Sequence, residues 1–212
     1  CDSKIEVNGI IISIDEAIDV WEKPLEKVFP TKVRSFSEKV GCVKFKGRSR
    51  KRPSAVFAKP RVFIPVFPGT NCEYDTAKAF ERAGGVADVF VVKNLTSKDI
   101  EESIDIMVKK IRDSQIIMIP GGFSGGDEPD GSGKFIATAF RNPRVKDAVM
   151  EFLKERDGLM LGICNGFQAL IKLGLLPYGE IRDITSDSPT LTFNSIGRHM
   201  SRMVQTRITS TL

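Results

Sequence analysis

From Arg61 onward the chain alternates short apolar runs with helix-periodic segments, and this alternation restricts the fold more than any other feature. Val62–Phe67, Val86–Val92, Gln115–Ile119 and Leu159–Ile163 read as strands. Pro68-Gly69-Thr70 closes the first strand, and Asn71 is placed to cap a helix with Glu73 and Asp75 in its first turn. Tyr74, Ala77, Phe80 and Ala83 give that helix an apolar face, and Gly84-Gly85 ends it. Ser97–Arg112 reads as a second helix, with Ile100, Ile104, Met107, Val108 and Ile111 on one side. A helical stretch then runs through Phe152, and a last helix spans Asn165–Leu173. Short strands that are apolar throughout, alternating with helices, imply an α/β fold: an open, mostly parallel sheet with helices on both faces. In such sheets a ligand sits beyond the carboxyl ends of the strands, here near residues 68–72, 120–127 and 164–166.

The first sixty residues differ in kind. Ile5–Val7 and Ile10–Ile14 are β-prone runs joined by Asn8-Gly9, a strong hairpin signal. Ser13-Ile-Asp-Glu16 has the form of a capping box opening a helix, with Ala17, Ile18 and Trp21 on one side and Pro24 interrupting it. Residues 1–30 are too few to bury a core and read as the tail of a preceding domain. Thr31–Arg61 then holds eleven basic residues and one acid, a local charge of +10 in a chain whose formal net charge is +5. Gly47–Pro53 has little apolar content and no periodicity, so residues 31–60 read as a solvated basic linker. No aromatic stacking pattern is interleaved with the basic residues, so a nucleic-acid partner is not expected. The third domain is 61–212.

The chain's 212 residues suit one domain with a smaller piece, long enough to bury a core without staples. Its longest uncharged stretches, Ser114–Gly126 and Leu159–Ile171, are shorter than the ~18 apolar residues of a membrane span, so no membrane partner is expected. The start shows no secretory signal pattern. The four cysteines, at positions 1, 42, 72 and 164, show no CxxC spacing, which argues against a disulfide scaffold or structural zinc and for a reducing cytoplasm. No metal site is expected.

Leu161-Gly-Ile-Cys-Asn-Gly166 reads G-x-C-x-G at a strand-to-helix junction, the thiol counterpart of a nucleophile elbow. Small flanking residues are needed because the sharp turn crowds the backbone around an exposed nucleophile. A helix N-terminus beside the sulfur favours the reactive thiolate, and the Asn165 N–H would point toward an oxyanion on an attacked carbonyl. The alternative is a buried cysteine packing as a small hydrophobe. Glycines at 121–126 let a ligand approach the backbone and let N–H groups converge on an anion. A phosphate loop is the rival, but the G-x-x-x-x-G-K-[ST] pattern is absent and Lys134 is too far along. A plain structural loop is the other reading.

Gly121-Gly-Phe-Ser-Gly-Gly-Asp127 followed by Leu161-Gly-Ile-Cys-Asn-Gly-Phe-Gln168 resembles the class I (triad) glutamine amidotransferases, and more narrowly the glutaminase domains of phosphoribosylformylglycinamidine synthases. Val66-Phe-Pro-Gly-Thr-Asn-Cys72 and Leu191-Thr-Phe-Asn-Ser195 are further matches, and the resemblance covers about residues 61–209. It implies a flavodoxin-like sheet. It implies that Cys164 attacks the side-chain amide of glutamine, forms a glutamyl thioester and releases ammonia. Gly122 or Phe123 and Asn165 would make the oxyanion hole, and Gly121, Gln168 and Asn194 would hold glutamine. The ammonia would pass to a synthetase domain of the same enzyme, where ATP, with Mg, activates the amide oxygen of formylglycinamide ribonucleotide in purine biosynthesis; this part itself needs no cofactor. Residues 1–30 would be the tail of that synthetase portion.

The family's triad continues with a His and a Glu in a Ser-His-Gly-Glu-Gly-like segment that this sequence lacks. The one histidine, His199, lies in Ile-Gly-Arg-His-Met-Ser, where the family has a charged strand-to-strand stretch, and is not expected to be the base. The expectation is a C-terminally truncated, incomplete glutaminase domain, weakly active or inactive. Two other classes stay open on the residues alone: a thiol hydrolase or redox-sensing α/β protein with an elbow cysteine, and a non-enzymatic docking module.

Overall fold

A computed structural model of the chain describes residues 3–28, 57–125, 133–191, 194, 199, 201 and 203; the basic run Gly47–Pro53 and the loop end at 126–132 lie outside them. The chain forms two units, 1–50 with 193–212, and 51–192. In the first, β1 (Lys4–Val7) pairs antiparallel with β2 (Ile10–Ser13), Val7 facing Ile10. The two-residue connection needs positive φ at both positions, and Asn8 and Gly9 supply 51° and 79°. Ser13 caps α1 (Ile14–Glu22), its side chain accepting from the Glu16 N–H at 3.0 Å, and a 3₁₀ turn at Lys23–Leu25 follows where Pro24 interrupts. No residue of α1 is buried, and Trp21 is 82% exposed.

The second unit is built on four parallel strands, β3 (Arg61–Val66), β4 (Val86–Val91), β5 (Ile116–Ile119) and β6 (Leu159–Gly162), in the order β4-β3-β5-β6. The chain moves outward from β3 to β4 and then returns past it to β5, so the order reverses at β3. Between β3 and β4 runs α2 (Glu73–Arg82), and between β4 and β5 runs α3 (Ser97–Asp113). Two helices, α4 (Lys134–Phe140) and α5 (Pro143–Lys154), connect β5 to β6, and α6 (Asn165–Leu173) follows β6. Phe63, Ile117 and Ile119 form the main core with Met107 and Ile111 of α3, Val145, Val149 and Phe152 of α5, and Leu170 and Leu173 of α6. Val62, Ile64 and Met118 point the other way, onto Ala77 and Phe80 of α2. Helices thus cover both faces, and β3 is apolar at every position after Arg61 because it is buried on both sides.

Three details depart from the expectations. Asn71 does not cap α2: Cys72 holds the N-cap position and no side chain caps the helix. Tyr74 is exposed, because the sheet-facing stripe of α2 runs through Ala77 and Phe80. The stretch read as one helix through Phe152 breaks at Arg141-Asn142, where Pro143 starts α5 and the Asn142 side chain accepts from the Arg144 N–H at 3.1 Å.

Candidate active site

The carboxyl ends of β3, β5 and β6 deliver three turns to one place. β3 pairs with β5 only at Val62↔Ile116 and Phe63↔Ile117, and Pro65 further along has no N–H to donate. Beyond the strands, the turn at 68–71 lies against the loop at 121–125 at a bridge between Thr70 and Gly122. Phe123 N–H donates to Gly69 carbonyl (2.9 Å), Gly125 N–H to Pro68 carbonyl (3.0 Å) and Asn71 N–H to Gly121 carbonyl (3.4 Å). Glycine is required on both sides of this contact. A Cβ on Gly69 (φ 91°) would lie 1.8 Å from the Phe123 carbonyl oxygen, and one on Gly122 (φ 149°) 2.5 Å from that of Gly69.

β6 ends at Gly162, and the chain turns at Cys164 straight into α6. Cys164 has φ 52° and ψ −110°, a conformation that costs a non-glycine residue of order 1–3 kcal/mol and that clusters at functional sites. The flanking glycines have no room for a side chain. A Cβ on Gly162 would lie 2.6 Å from the Gly166 carbonyl oxygen, and one on Gly166 2.1 Å from that of Ile119. Cys164 is solvent-exposed, so it is not packed as a small hydrophobe. Its Cβ faces the glycine loop, 3.3 Å from where a Cβ on Gly121 would be. Among the described residues the strand feeding it lies at the edge of the sheet: β6 pairs with β5 alone, and Leu159 is 66% exposed.

Asn165, the first residue of α6 and 1% exposed, ties the elbow to the loop. Its Oδ1 accepts from Ser124 N–H at 3.3 Å and its Nδ2 donates to Gln168 Oε1 at 3.4 Å. Gln168 therefore stands one turn along α6, its own N–H donating to the Cys164 carbonyl (3.0 Å). Gly121 and Gly122 are buried beside the elbow, whereas the Phe123 side chain is exposed. Phe123 N–H is committed to the Gly69 carbonyl, which takes it out of the two loop amides considered for an oxyanion hole. Asn194 and His199 belong to the other unit, where both are exposed; the site described here is confined to 51–192. Ser124 and Cys72 are site residues that sequence reasoning did not single out. Both lie inside the motifs quoted from the sequence, which gave neither of them a role.

An exposed, strained cysteine between two side-chain-free glycines, at the carboxyl end of a parallel strand and facing a glycine loop, has the geometry of a nucleophile elbow on an α/β sheet. A family description of the CobB/CobQ-like glutamine amidotransferase domain matches residues 59–212, and the chain belongs to that family. Among curated relatives, the phosphoribosylformylglycinamidine synthase subunit PurQ of Dehalococcoides mccartyi is 37% identical over 145 residues, covering 68% of this chain and 51% of the relative. The subunit of the same name from Methanococcus maripaludis is 41% identical over 126 residues, covering 57% of this chain and 42% of the relative. A solved structure of PurLQS from Thermotoga maritima is 33% identical, covering 56% of this chain and 46% of that one, with a TM-score of 0.39. The chain spans about half the length of the curated relatives it matches.

Proposed function

We propose that residues 51–192 carry the glutamine-attacking half of a phosphoribosylformylglycinamidine synthase glutaminase. The observation that carries this reading is Cys164, held at φ 52° by glycines 162 and 166 with its side chain toward Gly121. The Cys164 sulfur attacks the side-chain amide carbon of glutamine, and the carbonyl electrons move onto oxygen. The N–H groups of Gly122 and Asn165 stabilise that oxyanion, the first because Phe123 N–H is already bonded to Gly69, the second because it lies in the first turn of α6. Collapse breaks the C–N bond, ammonia leaves with the thiol proton, and water then hydrolyses the glutamyl thioester to glutamate. Gly121 gives glutamine close access to the backbone, and Gln168, oriented by the Asn165 amide, helps hold it.

The subunit names of the curated relatives support the rest of the reading, which extends past this unit. The ammonia would serve a synthetase partner, where ATP and Mg support amidation of formylglycinamide ribonucleotide in the cytoplasm; no residue of this unit is asked to hold either. Among the described residues, no helix is long and apolar enough to cross a membrane. Family membership disfavours the thiol hydrolase or redox-sensor alternative as the main activity.

A diazoketone analogue of glutamine tests the reading. It should alkylate Cys164, located by peptide mass spectrometry, and free glutamine should suppress the labelling. Alkylation that glutamine does not suppress, or that falls equally on Cys72, would point instead to an unselective thiol protein.

A further inference from the structure

The same turns that build the elbow bring a second thiol to it. Cys72 stands at the N-cap of α2, with its sulfhydryl donating to Asn71 Oδ1 at 3.3 Å. A Cβ placed on Gly121 would lie 3.5 Å from Cys72 Sγ and 3.3 Å from Cys164 Cβ, so these two atoms are no farther apart than the sum of those distances, 6.8 Å. Because Gly121 has no side chain, nothing of its own fills the space between the two cysteines. Both are exposed and both are free thiols. The turn before Cys72 is held to the 121–125 loop, so closing the gap falls to rotation about χ1 at each cysteine and to the start of α2, which no side-chain cap fixes.

We propose that Cys72 is a resolving cysteine for Cys164: a hydroperoxide oxidises the nucleophile, and the two residues then close a reversible disulfide. In the first step Cys164 sulfur attacks a peroxide oxygen, an S–O bond forms and the O–O bond breaks. Sulfur is oxidised by two electrons, and the hydroxide released takes a proton to become water (or, from an organic peroxide, an alcohol leaves). In the second step Cys72 sulfur attacks Cys164 sulfur; the S–S bond forms, the S–O bond breaks, and hydroxide leaves as water with the Cys72 proton. A dithiol reductant restores both thiols. An exposed reactive cysteine without a neighbour continues to the irreversible sulfinic acid, whereas a nearby thiol intercepts the sulfenic acid first. The inference needs only the geometry of the two turns and does not depend on the chain acting on glutamine.

The test is peptide mapping of the whole chain after brief treatment with dilute hydrogen peroxide. Tryptic peptides 62–78 and 157–172 hold one cysteine each, Cys72 and Cys164. The expected product is the two peptides joined with loss of two hydrogens, separated again by dithiothreitol, with loss of iodoacetamide labelling at Cys164 until reduction. In Cys72→Ser the joined product should vanish and Cys164 should gain two oxygens instead; should that variant fail to fold, the wild-type map decides alone. Cys164 reaching the sulfinic state in the wild type while Cys72 stays reduced, or joining Cys1 or Cys42, would overturn the proposal. Glutamine-suppressed diazoketone labelling without any peroxide crosslink would overturn this inference and keep the glutaminase reading; the opposite pair of results would do the reverse.

Discussion

Replacing Gly166 with alanine loads the elbow at its tightest point. Gly166 is the second residue of α6, and a Cβ there would lie 2.1 Å from the Ile119 carbonyl oxygen, 2.8 Å from its carbon and 3.0 Å from Ile119 Cβ. That carbonyl already accepts from Ile163 N–H at 3.2 Å, so β5 cannot turn it aside without losing the hydrogen bond that leads into the elbow. Ordinary carbon contacts begin near ~3.5 Å, so α6 must retreat by more than an ångström. Overfilling a packed interior costs about 1–3 kcal/mol when side chains can give way, and here the obstacle is main chain, which puts the cost at the upper end. Alanine in a helix returns about 1 kcal/mol relative to glycine. The net expectation is a loss of about 2 kcal/mol, a fall in Tm of roughly 4–8 °C for a chain of this size. Gly125→Ala is the control, since a Cβ there has nothing within 4 Å. It should stay within about 0.5 kcal/mol of the parent. Thermal unfolding followed by circular dichroism reads both. A Gly166→Ala chain that melts together with the parent and the Gly125→Ala control would refute the packing account of the G-x-C-x-G spacing.

Cys164→Gly should relieve the strain at φ 52° and raise stability by about 1 kcal/mol after glycine's own entropy cost, measured by urea unfolding, while removing all labelling at the elbow; a less stable variant would contradict the strain. Asn165→Ala removes the acceptor for Ser124 N–H and the donor to Gln168, and should cost about 1–3 kcal/mol and slow iodoacetamide alkylation of Cys164. Thr96→Ala breaks the capping box in which Thr96 Oγ1 accepts from Asp99 N–H at 3.1 Å, and should cost about 1 kcal/mol with Cys164 alkylation unchanged.

Much of the fold was legible because its signals are local. Asn165–Leu173 is helical over the range the sequence predicts, bounded by the elbow and by Gly174 at φ 81°. Asn8-Gly9 and Ser13 likewise act through their immediate neighbours. Strand ends were less legible: Phe67 reads as strand, but its N–H donates to the Thr70 hydroxyl at 3.1 Å, a turn contact. The break before Pro143 was written in the Asn142-Pro143 pair and was overridden by the apolar run around it. At the site, the strand-end rule named 68–72, 120–127 and 164–166, and the structure brings 68–72, 121–125 and 164–166 together, residues 126 and 127 lying outside those described. What it could not give was distance. The commitment of Phe123 N–H to Gly69 and the approach of Cys72 to Cys164 depend on a contact between turns fifty residues apart in sequence, and no spacing within either turn encodes it.

The most direct measurement of the central claim is the covalent intermediate itself. The chain is mixed with isotopically labelled glutamine, quenched in acid after increasing times, and the peptide 157–172 is weighed. The account predicts one labelled glutamyl group on Cys164, removed by hydroxylamine as a thioester should be and absent from Cys164→Ala. A glutamyl group on another residue, or ammonia released from glutamine equally by the Cys164→Ala chain, would contradict it.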